Sequence, residues 1–264
     1  MISRSAPLLD RFFPKNPESE KRGFRLFSES YEIALGATLY RELIQRDGGA
    51  YLGPYQAMVE EIGYKLAKCS KRPDLPYAFT VINSNEIEAL CMAGGKIIVY
   101  KGLIEKLDKE KKTFGVGDFT LEQKLAAVIG HEIIHATARH TSIWLESKFL
   151  LVVVTVIQLA CLVLMRVGVP YSRVGVSKGV EIFFGCLGMY YNSRERELEA
   201  DKGSIYNMVR AGYNPRAAIW LQKFHELQQG GRDKGCLSAA FRLLISHPDA
   251  YERAQRNERT IAAI

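Results

Sequence analysis

Residues 121–140 read LEQKLAAVIGHEIIHATARH, with His131 and His135 four positions apart and Glu132 directly after the first histidine. On a helix that spacing separates the two side chains by about 40° in azimuth and one turn in height, so both imidazoles can reach one tetrahedral ion from the same face. The glutamate projects beside the metal without binding it, where a carboxylate can take a proton from an attacking water and pass it to a leaving amine. The competing reading is polar trim on an ordinary buried helix. The whole chain has five histidines, and an accidental H-E-x-x-H is then on the order of one in a hundred. Zinc is therefore the preferred reading, one ion per chain, with His131 and His135 as ligands and Glu132 as general base.

Such a site needs a third ligand. The extended signature H-E-x-x-H-x-x-G-x-x-H fails, because Ala138 holds the glycine place and Thr141 the last histidine place. His140 is one residue out of register and is expected on the helix surface. A carboxylate from a second helix would complete a His₂Glu set with one open position. The run SRERELEAD, residues 193–201, offers Glu195, Glu197 and Glu199, with Asp201 at its end. Glu197 and Asp201 are four apart and share a face, so Glu197 can bind the metal while Asp201 accepts a hydrogen bond from a ligand histidine. Glu195 and Glu199 fall on another face, toward solvent or an arginine.

Outward from these motifs, Thr120 is placed to cap the first helix, with Gln123 as the reciprocal partner. Upstream, YAFTVIN, EIEALCM and KIIVY are β-rich runs separated by NSN and AGG, and two helical patterns precede them, FSESYEIALGATLYRELIQ and GPYQAMVEEIGYKLAKC. Residues 1–22, rich in proline and charge, form an N-terminal arm. Their opening lacks a secretory apolar core, and Asp10 breaks a transit-peptide pattern. Residues 23–264 form one domain around this candidate zinc site, α+β but mainly α, a helical domain with a small β-sheet beside the H-E-x-x-H helix and an apolar insert at 149–191. The 264 residues are 47% hydrophobic and 25% charged, enough for a real core. A net charge of +7 favours anionic partners such as acidic lipid head groups, but no basic-aromatic nucleic-acid module is legible, so no nucleic-acid partner is expected. The five cysteines lack a C-x-x-C pair and read as small buried hydrophobes.

Taken together these residues resemble the gluzincin metallopeptidases of family M-48, which include HtpX-like and mitochondrial inner-membrane stress peptidase-like members. The resemblance covers most of residues 28–255 and rests on ESYEIALG, AGGKIIVYKGLI, HEIIHATARH, SRERELEADKGS and HPDAYER. It implies that Glu197 is the third zinc ligand and Asp201 a carboxylate behind the ligands. It further implies that His247 and Arg253 face the site, His247 stabilising an oxyanion and Arg253 either doing the same or clamping the carboxylates of SRERELEAD. By the same resemblance an extended peptide lies along an edge strand at Leu90, Cys91, Met92 and Ala93. Here the chain departs from the pattern, with Glu88-Ala89-Leu90 and Ala93-Gly94-Gly95 where relatives often carry Asn-Ala-Phe and Pro-Gly-Gly.

Residues 149–165, FLLVVVTVIQLACLVLM, are 17 uncharged residues, about 25 Å as a helix against a hydrocarbon core of about 30 Å. The metal constrains this stretch. His131 and His135 precede it and Glu197 follows it, so a single membrane crossing is excluded. The insert 149–191 crosses twice, returning through VEIFFGCLGMYY, or stays on one side as an interfacial or buried helix. Membrane association is the expectation, with Arg166, Arg173 and Lys178 suited to anionic head groups. The mitochondrial inner membrane is the organelle the resemblance implies, and a soluble cytoplasmic protein is the alternative. The expected function is a zinc-dependent endopeptidase of membrane-associated or misfolded proteins. A catalytically inactive membrane-bound adaptor with structural zinc is the alternative from another class, and the oligomeric state is left open.

Overall fold

A computed structural model of the chain describes residues 10, 12–166, 193–230 and 250–264. The fold is α+β and mainly α. Two helices, α1 (Glu29–Arg46) and α2 (Pro54–Lys68), lead into three short strands, β1 (Ala78–Ile82), β2 (Ala89–Met92) and β3 (Lys96–Tyr100). Helices α3 (Lys101–Lys109), α4 (Leu121–Thr137), α5 (His140–Arg166), α6 (Ser193–Arg210), α7 (Arg216–Gly230) and α8 (Ala250–Ala262) follow.

The local chemistry explains these boundaries. Ser28 Oγ accepts the Tyr31 amide to start α1, and Pro54 opens α2 at a position where no backbone donor is needed. The α2 residues Val59, Ile62, Gly63, Leu66 and Ala67 are buried, a spacing of three and four that gives one apolar face. The strands order as β1-β3-β2, β1 parallel to β3 and β2 antiparallel to it. The tight β2–β3 turn runs through Gly94 and Gly95 at φ +71° and +79°, a region that favours glycine. This order leaves β2 at an edge of the sheet.

Helix α4 is the centre of the fold. The capping box forms, Thr120 Oγ1 accepting the Gln123 amide and Gln123 Oε1 accepting the Thr120 amide, both at 3.3 Å. Every residue from Lys124 to Ile134 is buried, which is the fate of a helix apolar on all sides. It packs against α2, the sheet, α6 and α7. Gly203 lets α6 come close, since a Cβ there would lie 2.9 Å from Ile134 Cγ2. The core around it includes Leu66, Phe79, Ile97, Leu125, Ile129, Ile133, Met208, Trp220 and Phe224.

Arg139 separates α4 from α5 at φ +61°. A left-handed arginine is costly unless its surroundings hold it. Here its Nε donates to Glu32 Oε2 at 2.5 Å and its Nη2 to the Phe27 carbonyl at 3.1 Å. The helix that follows begins nine residues before the apolar run read from sequence, and its first turns, with His140, Ser142, Glu146 and Ser147, are buried in the domain. Farther along, Phe149, Val152, Val156, Ile157, Leu159, Leu162 and Val163 are exposed. Among the described residues, His140–Leu164 is the one helix long and apolar enough to cross a membrane.

The end of the expected arm lies on the domain. Lys15 and Arg22 form an isolated bridge, Thr137 Oγ1 donates to Glu18 Oε1 at 2.7 Å, and Asn16 reaches α6. Cys69, Cys91 and Cys161 are free thiols, half-buried, buried and half-buried. Cys186 and Cys236 lie outside the described residues.

Candidate metal centre

His131 and His135 project from the last turns of α4, and their Nε2 atoms are 3.0 Å apart. From α6, Glu197 brings Oε2 to 3.2 Å from His131 Nε2 and Oε1 to 3.4 Å from His135 Nε2. Ligand atoms bound at about 2.0–2.2 Å around a tetrahedral ion stand about 3.3 Å apart. The three donors therefore already have the spacing of a tetrahedral face. Their chemistry, two imidazoles and one carboxylate in a nearly dry setting, also fits zinc. Among the described residues this is the group of three able to hold one ion, its ligand atoms all within 4.8 Å of one another.

Asp201 stands behind His131, with Oδ1 3.1 Å from His131 Nδ1. Its carboxylate takes a bidentate fork from Arg253, Nε to Oδ2 at 2.6 Å and Nη2 to Oδ1 at 2.7 Å, and a third bond from Gln222 Nε2 at 3.0 Å. Arg253, only 2% exposed, also brings Nη1 to 3.2 Å from Glu197 Oε2. Burial alone would raise the Asp201 carboxyl, but the Arg253 charge and the hydrogen bonds from Arg253 and His131 hold it at about 2. Burial alone would lower His131, but the hydrogen bonds and charges of Asp201 and Glu197 raise it to about 10.

Glu132 is buried beside His131. Its charge is felt by Arg253 and, after burial itself, contributes to raising the Cys91 thiol well above its ordinary value. Its charge thus reaches both the carboxylate clamp and strand β2. Leu90 and Cys91 in that strand and Ala93 just after it are buried, and Met92 is half-buried. The Cys91 carbonyl accepts a hydrogen bond from Thr141 Oγ1 at 2.8 Å. His247 lies outside the described residues.

Two residues were missed by the sequence reading. His140, expected on a helix surface, is 4% exposed, and its Nδ1 is 3.0 Å from His135 Nδ1. Glu199, expected toward solvent or an arginine, has Oε2 2.9 Å from His140 Nε2. The expectation assumed one unbroken helix, on which a residue five positions on points elsewhere. The left-handed Arg139 breaks that register, and nothing in the letters A-R-H announces it.

A short sheet packed on an H-E-x-x-H helix, with a glutamate returning from a later helix, is the arrangement of a gluzincin-type metallopeptidase. The profile described as Peptidase family M48 matches residues 55–261, and the chain belongs to that family. It is similar to the beta-barrel assembly-enhancing protease of Yersinia pestis, 23% identical over 82% of this chain and 41% of that protein. It is also similar to the mitochondrial metalloendopeptidase OMA1 of Schizosaccharomyces pombe, 25% identical over 92% of this chain and 64% of that protein. The metalloprotease YcaL of Escherichia coli (strain K12) is 24% identical over 76% of this chain and 70% of that protein. The chain thus spans less than half the length of the Yersinia pestis relative.

Proposed function

We propose that the chain is a zinc-dependent endopeptidase with His131, His135 and Glu197 as ligands and Glu132 as general base. The observation that carries this reading is the preformed triangle of two Nε2 atoms and one carboxylate, backed by the Asp201–Arg253 clamp. Bound there, zinc would acidify a water and polarise the scissile carbonyl. Glu132 takes the proton of the attacking water and returns it to the leaving amine. Asp201 accepts the His131 Nδ1 proton, which keeps the Nε2 lone pair free for the metal, while Arg253 keeps Asp201 and Glu197 ionised. By resemblance, His247 donates to the oxyanion. The peptide runs along β2, at Leu90, Cys91, Met92 and Ala93, as an added strand.

The substrate is a membrane-associated or misfolded protein. Support comes from α5, whose apolar side chains are exposed beyond its buried first turns, with Val152 63% exposed. An apolar surface of this kind is stable when lipid covers it. Since the three candidate ligand side chains meet at one point, a single bilayer crossing between α4 and α6 is excluded; the returning part of the expected insert, residues 167–191, lies outside the described residues. The name of the Schizosaccharomyces pombe relative gives a mitochondrial setting for that protein, and a mitochondrial setting, at the inner membrane that the sequence resemblance implies, is proposed for this chain.

Removal of metal by a chelator, followed by zinc restoration, tests the enzymatic reading. Hydrolysis of an unfolded protein should vanish and return, with one zinc per chain. Hydrolysis that survives complete chelation contradicts it. Zinc binding without cleavage of any unfolded substrate would favour the inactive adaptor instead. Alkaline carbonate washing should leave the protein in the membrane pellet if the insert forms a hairpin. Full extraction would favour a surface-bound or soluble chain.

A further inference from the structure

Behind His135 the chain has a device different from the carboxylate clamp behind His131. A ligand histidine ordinarily donates its second ring N–H to a carboxylate, a backbone carbonyl or water. Here the neighbour of His135 Nδ1 is another imidazole, His140 Nδ1 at 3.0 Å, the rings crossing at 73° with centroids 4.9 Å apart. The far side of that imidazole, Nε2, meets Glu199 Oε2 at 2.9 Å. Asn16 of the N-terminal arm donates to both oxygens of the same carboxylate, at 3.1 and 3.3 Å.

We propose that Glu199 and His140 form a positioning relay that fixes the tautomer and ring angle of His135. The direction of the relay follows from donor and acceptor capacity. An ionised carboxylate only accepts, so His140 Nε2 must carry the proton and donate to Glu199. A neutral imidazole with one N–H has a lone pair on its other nitrogen, so His140 Nδ1 accepts. His135 Nδ1 must then donate, which leaves the His135 Nε2 lone pair pointing toward Glu197 and His131. Reversal at any one step places two protons or two lone pairs face to face at about 3 Å in a buried site, which leaves buried polar atoms without a hydrogen bond.

The backbone supports the same reading. The left-handed Arg139, held by Glu32 and the Phe27 carbonyl, brings the first residue of α5 back over the last turn of α4. An ordinary continuation of the helix would have carried His140 away from His135. His140 and Glu199 act through His135 and do not themselves bind the metal, so they are positioning residues. A neutral ring in place of a carboxylate also keeps the negative charge one imidazole farther from the metal than on the His131 side. His135 should therefore be the less strongly polarised of the two histidines.

This inference rests on the zinc reading of the site. It is tested on the full chain by competition for zinc against a chromophoric chelator. His140→Leu should lower zinc affinity about 10- to 100-fold. His140→Gln, whose amide oxygen accepts from His135 and whose amide nitrogen donates to Glu199, should recover most of that loss. Equal affinities for folded Leu and Gln variants overturn the relay. Should His140→Leu not fold, ¹⁵N chemical shifts of the zinc-loaded wild type decide, with His135 expected as the Nδ1–H tautomer and His140 as the Nε2–H tautomer. The opposite tautomer at His140 overturns the proposal. A wild type that binds no zinc would instead sink the metal reading itself.

Discussion

The two histidines of α4 stand one turn apart and face the same point, yet they are backed in opposite ways. Behind His131 lies a charged clamp, Asp201 held by Arg253 and Gln222, wholly inside the core. Behind His135 lies a ring, His140, then Glu199, then Asn16 of the arm. The first backing is made by three helices that pack on α4 or on one another, α6, α7 and α8. The second depends on the start of α5, the helix with the exposed apolar surface, and on a strap of chain from far upstream. One side of the site is thus fixed by the core, and the other is tied to the helix with the exposed apolar surface and to the upstream strap around Asn16.

The difference is sharpest if Arg253 is removed. Arg253→Ala removes the buried guanidinium that pairs with both Asp201 and Glu197, which should cost about 3 to 5 kcal/mol of stability. Glu199→Gln, on the other side, should cost about 1 kcal/mol, because an amide oxygen still accepts from His140. Urea unfolding of the two variants checks this, and equal losses would erase the distinction between a core side and a peripheral side.

Acid should expose the same asymmetry. The Asp201 carboxyl is depressed from 3.8 to about 2 in the folded protein, so the unfolded chain binds the proton first. Its contribution is present above pH about 4 and is lost as pH falls through about 2, amounting to about 2 kcal/mol. Urea unfolding of metal-free wild type between pH 5 and pH 2 should therefore show a steeper loss than Asp201→Asn. Parallel curves would mean the clamp does not store this energy.

A smaller effect is expected at the arm. Asn16→Ala removes the donor to Glu199 and should lower zinc affinity by a few-fold, with about 1 kcal/mol or less of stability lost. Chelator competition checks it, and a loss as large as that of His140→Leu would show that the arm, not His140, holds His135.

Much of this arrangement was legible in the letters. Thr120 and Gln123 announced the start of α4, the AGG turn announced the β2–β3 pair, and the four-residue step from Glu197 to Asp201 put the two carboxylates on one face. These signals are local, and they survive because periodicity and capping act within a few residues. Gln222 was invisible because its partner is 21 residues away and a glutamine in a helix carries no signature. His140 and Glu199 were misplaced for a different reason. A single arginine takes up a left-handed conformation only because Glu32 and Phe27, over 100 positions upstream, hold it there. Tertiary contacts reset the helical register, and local spacing cannot report that.

The most direct test of the central claim is turnover of an unfolded protein by wild type and Glu132→Gln, each brought to one zinc per chain. Loss of the general base should slow hydrolysis by about 10²- to 10⁴-fold while zinc affinity stays within a few-fold of wild type. Equal rates at equal zinc occupancy would contradict the assignment of Glu132 as the base and of this site as the place where peptide bonds are cut.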